Sequence, residues 1–137
     1  MSPEIQAFTN AIAIALAHMG LTLVLLFAGA TIYALITPHK EIQLIQEGNT
    51  AAALSFGGMI VALALPLALS LAGSNTLAEV GLWGVMSVAV QLLIFRLTDM
   101  LLAGLPERIR EGELAAATLL VSAKLATAMV LAAALAG

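Results

Sequence analysis

Cysteine is absent from this chain, aromatic residues make up only 4% of it, and charged residues 9%, where soluble domains carry roughly a quarter. Without cysteine there is no disulfide, no thiolate nucleophile and no zinc–sulfur site. The formal charge is −3, with five Lys and Arg in 137 residues and no basic cluster, so nucleic acid has nothing to hold. A nucleophile with a base beside it and a paired-acid site are missing too, which argues against an enzyme.

What is there in quantity is apolar surface. The chain is 62% hydrophobic with a mean hydropathy of +1.09, and it cannot cover itself in water. Crossing a bilayer takes about 20 mostly apolar residues, and stretches over about 8–36, 50–72, 80–100 and 114–136 qualify. The start "MSPEIQAFTN" has no positively charged n-region and leads into an apolar run longer than an h-region, so it reads as a retained first span and not as a cleaved signal.

Two blocks echo each other. Residues 45–68 and 109–132 match at ten of 24 positions, among them Ile45/Ile109, Glu47/Glu111, Gly48/Gly112 and an alanine triplet. Residues 1–137 thus read as one membrane domain made of units 7–72 and 77–136, each with an even number of spans. Such units insert the same way up, as a parallel repeat. The expected fold is all-α: an integral membrane four-helix protein of two parallel two-helix repeats, with short interfacial helices before helices 2 and 4.

Locally each repeated block reads as a corner. Thr37 and Pro38 suit the start of a short helix, Gly48 its stop, and Asn49 the cap of the next span. In the second copy Pro106, Glu111, Gly112 and Glu113 take the corresponding parts, an acid near a helix start being favoured by the dipole. Lys40, Arg108, Arg110 and Arg96 all lie on the corner side, and the opposite side has no Lys or Arg. The positive-inside rule then puts the corners in the cytoplasm and both termini in the periplasm of a bacterial inner membrane. Trp83 and Tyr33 fall near opposite ends of their spans, where aromatic belts sit.

At "ITPHKEIQLIQEGNTAAALSFGGMI" and again at "IREGELAAA", the sequence resembles the YjfL-type family of bacterial inner-membrane proteins, a tandem two-helix domain of unknown function. The resemblance implies a four-helix inner-membrane protein. Through gene neighbourhood it also implies company with phage-shock-type envelope-stress proteins and with enzymes resembling glutathionylspermidine synthase. It implies no catalytic residue and no cofactor, and Lys124 departs from the small residues of its second copy.

Lys124 is the most unusual residue. At about 1.5 Å per residue it lies roughly 16 Å from the corner end, close to the middle of a core about 30 Å thick, and Gln91 comes to nearly the same depth. A lysine there costs about 2.5–3.5 kcal/mol on insertion scales, so it should face the bundle, an interface or water. Asp99, the nearest acid, counts about 13 Å shallower, so no salt bridge within the chain is expected. Lys124 is then neutral, or solvated by Gln91, Ser122, Thr127 and carbonyls, or met by an anion or another subunit. Lys124 with Gln91 form the candidate intramembrane polar site.

Other polar residues read more simply. Arg96 and Asp99 are spaced i, i+3 as a topology anchor or, less simply, a gate. His18 falls near the outer interface and His39 in the first corner, with no second ligand at helical spacing, so no metal site is expected. Pro66 frees the carbonyl of Ala62 and should bend helix 2. Ala53, Gly57, Gly58 and Ala62 on helix 2, and Ala115, Ala123 and Thr127 on helix 4, offer close backbone contact.

These features support an oligomeric scaffold or accessory component, with the lipid bilayer, further copies and a cytoplasmic protein as partners. The alternative is a small oligomeric channel or transporter whose polar or anion path is lined by Lys124 and Gln91.

Overall fold

The computed structural model describes residues 1–38 and 40–136. Six helices follow in order: α1 (Pro3–Ile36), α2 (Glu41–Gln46), α3 (Thr50–Gly73), α4 (Leu77–Leu101), α5 (Gly104–Arg110) and α6 (Leu114–Ala136), with no strand among the described residues. Four of them, α1, α3, α4 and α6, are long and apolar enough to cross a membrane. They are apolar all round, as helices facing lipid on one side and a core on the other must be, and Phe27, Leu35, Leu82, Leu93 and Val130 stand on the outside.

Helices α3 and α6 pack most extensively on each other, and α1 lies along α3 and α4. Alanine fills the α3–α6 seam: Ala51, Ala52 and Ala62 face Ala116, Ala117 and Ala128, all fully or almost fully buried. Of the two adjacent glycines only Gly58 belongs to this seam, for a Cβ there would stand 2.5 Å from Val121, while one on Gly57 would meet nothing. Ala53 and Ala115, expected on the contact face, are exposed instead. The seam sits one residue round from the sequence reading, because the stripe it follows is set by Ser55, Met59, Ala62 and Pro66.

Helix α1 is different. Its 34 residues span about 51 Å at 1.5 Å per residue, well beyond a hydrocarbon core of about 30 Å. Residues 3–17 are exposed throughout, and its only buried residues, Gly29, Ala30 and Tyr33, lie towards the corner end.

The two corners share one geometry. Gly48 has φ +87° and Gly112 φ +88°, the left-handed conformation that glycine adopts without penalty at a helix end. Gly48 N–H donates to the carbonyl of Ile45 and Asn49 N–H to that of Leu44. Gly112 N–H donates to Ile109 and Glu113 N–H to Arg108. Asn49 accepts from Ala52 N–H at 3.0 Å, capping α3, and its amide donates to the carbonyls of Ile109 and Arg110, both at 3.1 Å. One side chain thereby ties the first corner to the second.

Thr37 does not cap α2. It closes α1, its hydroxyl donating to the Tyr33 carbonyl at 2.7 Å, and α2 begins only at Glu41 behind Lys40. Pro38 lies between the helices, and a proline disfavours helical conformation in the residue before it, which is why α1 ends where it does. Pro106, by contrast, sits in the first turn of α5, where its missing N–H costs nothing. Glu113 pairs with Arg108, whose Nε lies 2.7 Å from Oε2.

Candidate functional site

Lys124 is completely buried on α6, and it does find a carboxylate within the chain. Its Nζ lies 3.0 Å from Asp99 Oδ1 and also donates to the hydroxyl of Tyr33. That hydroxyl in turn donates to Asp99 Oδ2 at 2.6 Å. The ammonium sits 4.6 Å from the ring centre of Tyr33 and 5.6 Å from that of Phe95, within the range of cation–π attraction. The two rings meet edge to face at 6.1 Å. Carboxylate, phenol and ammonium close a three-membered ring of contacts in which each group touches the other two.

This overturns the expectation that no intrachain salt bridge can form. Counting residues from helix ends locates Cα atoms, but Cβ atoms tilt towards a helix's own N-terminus. Helix α6 starts at the corner end and α4 at the far end, so Lys124 leans towards the corner while Asp99, two residues before the end of α4, leans away from it. The antiparallel pair makes the two side chains converge.

Asp99 is the hub of the cluster. Besides Tyr33 and Lys124 it has Arg96 Nη1 at 3.7 Å, so the i, i+3 pair read as an anchor is also part of the buried site. Tyr33 is not a belt residue: at 1% exposure it is a core side chain, whereas Trp83 is half exposed. Asp99, Tyr33 and Phe95 were not grouped with Lys124 in the sequence. The available signal was the α4 register, since Ser87, Gln91, Phe95 and Asp99 recur every four residues and all are buried.

Gln91 is buried but serves another group. Its Nε2 donates to the Ala62 carbonyl at 3.1 Å, the acceptor that Pro66, four residues on, leaves without its helical N–H. Helix α3 runs unbroken through Pro66, and the freed backbone group is satisfied from a neighbouring helix, as a membrane interior requires. Lys124 and Gln91 therefore face two different partners. Ser122 is exposed and Thr127 bonds the Lys124 carbonyl, so neither solvates the ammonium.

His18 lies partly buried on α1, its carbonyl accepting from Thr22, and His39 falls outside the described residues. Among the described residues no group of three or more His, Asp or Glu could hold a metal ion.

Beneath the cluster, at the corner end, Glu41 turns inward. It shares with Thr37, Asp99, Pro106 and Arg110 a cavity of about 10 Å³, the size that one water needs. Desolvation pushes its carboxyl up to about 7, with Lys124 opposing and Asp99 adding to the rise.

A helical bundle apolar on its outside, with a buried Lys–Asp–Tyr cluster bridging three of its spans, defines a polytopic membrane protein. Residues 7–135 match the family described as Domain of Unknown Function (DUF350), and the chain belongs to that family. It is 33% identical over 108 residues, 79% of this chain and 80% of the relative, to the UPF0719 inner membrane protein YjfL of Escherichia coli (strain K12). The protein of the same name from Escherichia coli O157:H7 matches to the same extent. None of these names states an enzymatic activity, and no solved structure matches the chain.

Proposed function

We propose that this protein is a non-enzymatic inner-membrane component that assembles with further copies of itself and presents a fixed platform to a cytoplasmic protein. The observation that carries this reading is the Asn49 bridge, which holds both corners as one surface bearing Glu47, Glu107, Arg108, Arg110 and Glu111. By the distribution of Lys and Arg that surface faces the cytoplasm, with both termini periplasmic. Self-assembly is supported by α1, whose exposed stretch puts Ile5, Phe8, Ile12 and Leu16 at helical spacing on one face. The two matching corners support a parallel repeat over 7–72 and 77–136. A link to envelope stress rests on the family resemblance and is checked by the stress tolerance of a deletion strain.

Permeation is the second reading, favoured by one observation. Ser87, Gln91 and Asp99 line the buried face of α4, a file of polar groups through much of the bundle, interrupted by Phe95. Reconstitution in liposomes separates the two readings. A scaffold gives ion flux no greater than protein-free vesicles, together with disulfide-linked dimers from Phe8→Cys in native membranes. Flux in the wild type that disappears in Lys124→Met replaces this reading with permeation.

A further inference from the structure

Helix α2 is only six residues long and opens on Glu41. An exposed amphipathic helix would point that carboxylate at water, yet Glu41 Oε2 is shielded from solvent and has no hydrogen-bond partner. A buried carboxylate oxygen without a donor is costly, and an added proton removes the cost. The cavity it lines joins it to Asp99 on one side. On the other side a groove of about 500 Å³, lined by Pro38, Lys40, Gln43, Leu44, Glu47 and Arg110, opens the corner to water and shares Leu44 and Arg110 with the inner cavity.

We propose that Glu41 is a proton-binding site serving the intramembrane cluster: one proton from water at the corner adds to its carboxylate and leaves Asp99 as the single carboxylate facing Lys124. The step is a plain protonation, carboxylate plus proton giving carboxylic acid, and needs no co-reactant. The titratable and charged groups around the site come from four helices. Tyr33 faces it from α1, Asp99 from α4, Arg110 from α5 and Lys124 from α6, and Arg96 stands behind Asp99. Helix α3 has no titratable side chain at all.

Burial raises the Glu41 carboxyl to about 7, so the site fills and empties around neutrality. Loss of the proton puts two carboxylates beside one lysine and pulls on the Tyr33–Asp99–Lys124 ring. The site stands on its own geometry under either reading of the protein's function.

The test uses the full chain in lipid nanodiscs. Tyr33 is the only tyrosine, so ¹³Cζ-tyrosine labelling gives a single resonance inside the cluster. It should move with a midpoint about pH 7 in the wild type and in Glu47→Gln, and stay still in Glu41→Gln. Labelling glutamate at ¹³Cδ in the wild type should show one carboxyl titrating at about pH 7, a readout that does not depend on the variant folding. A wild-type Tyr33 resonance unmoved between pH 5.5 and 8.5, a titration that survives in Glu41→Gln, or glutamates that all titrate together near pH 4.5 would each overturn the proposal.

Discussion

Gln91 completes a hydrogen bond that Pro66 breaks: its amide reaches the Ala62 carbonyl at 3.1 Å, the position a backbone N–H at residue 66 would have served. Gln91→Leu should therefore cost about 1–3 kcal/mol, the penalty of an unsatisfied buried acceptor. In a Pro66→Ala background, where the helix supplies its own donor, the same change should cost much less. A double-mutant cycle on SDS-titration midpoints reads the coupling, and additive costs would show that the two residues act independently.

For the ion pair the expectation is asymmetric. Lys124→Met or Asp99→Asn alone leaves a buried group without its partner, at about 3–5 kcal/mol. The double variant Lys124→Met/Asp99→Asn should recover most of that loss. Thermal unfolding in detergent checks it, and a double variant less stable than either single one would contradict the pairing.

The corners offer a backbone test. Gly48→Ala and Gly112→Ala force a Cβ into φ near +90°, at about 1–2 kcal/mol each, with Asn in place of Ala milder. Asn49→Ala removes an N-cap and two links to α5, and should loosen both corners together. Hydrogen exchange of α2 and α5 amides is the measurement, and faster exchange confined to α2 would contradict the link.

Gly58 tests the seam between α3 and α6. Gly58→Ala pushes a methyl against Val121 and should cost about 1–3 kcal/mol as overpacking, while Gly57→Ala, in open space, should be harmless. Val121→Ala should restore stability to Gly58→Ala, as judged by unfolding midpoints.

Stability should fall as pH rises. Glu41 titrates at about 7 in the folded protein and near the usual carboxylate value of about 4.3 when unfolded. The folded state therefore holds the extra proton between those values, and stability is fullest below the lower one and is lost on the way up to about pH 7. Glu41→Gln should flatten that slope in unfolding measured from pH 4 to 8.

Much of this fold is legible in sequence because lipid enforces it. Runs of apolar residues long enough to cross a bilayer leave no alternative to helices, and Gly48 and Gly112 announce helix ends through the one conformation that suits them. The candidate site is legible only in its least comfortable member. Lys124 declares itself by its cost, but its partners do not. Asp99 sits near a helix end, where an acid is unremarkable, and Tyr33 at a depth where aromatic residues commonly float. What joins them is the opposed lean of side chains on antiparallel helices, a property of pairs of elements that counting along one element misses. Glu41 is inconspicuous in the sequence for a similar reason, since a charge in the first turn of a short amphipathic helix normally belongs to water.

The ring of Tyr33, Asp99 and Lys124 also bears on the order in which the chain is made. Tyr33 and Asp99 belong to spans synthesised before α6, so the acceptors stand ready when the last span arrives with its lysine. Its lysine costs about 2.5–3.5 kcal/mol at mid-membrane, and groups already delivered offset that cost in a span otherwise apolar enough to cross. A truncated chain that lacks α4 should accordingly insert α6 less efficiently, so that the aspartate of one span bears on the making of another.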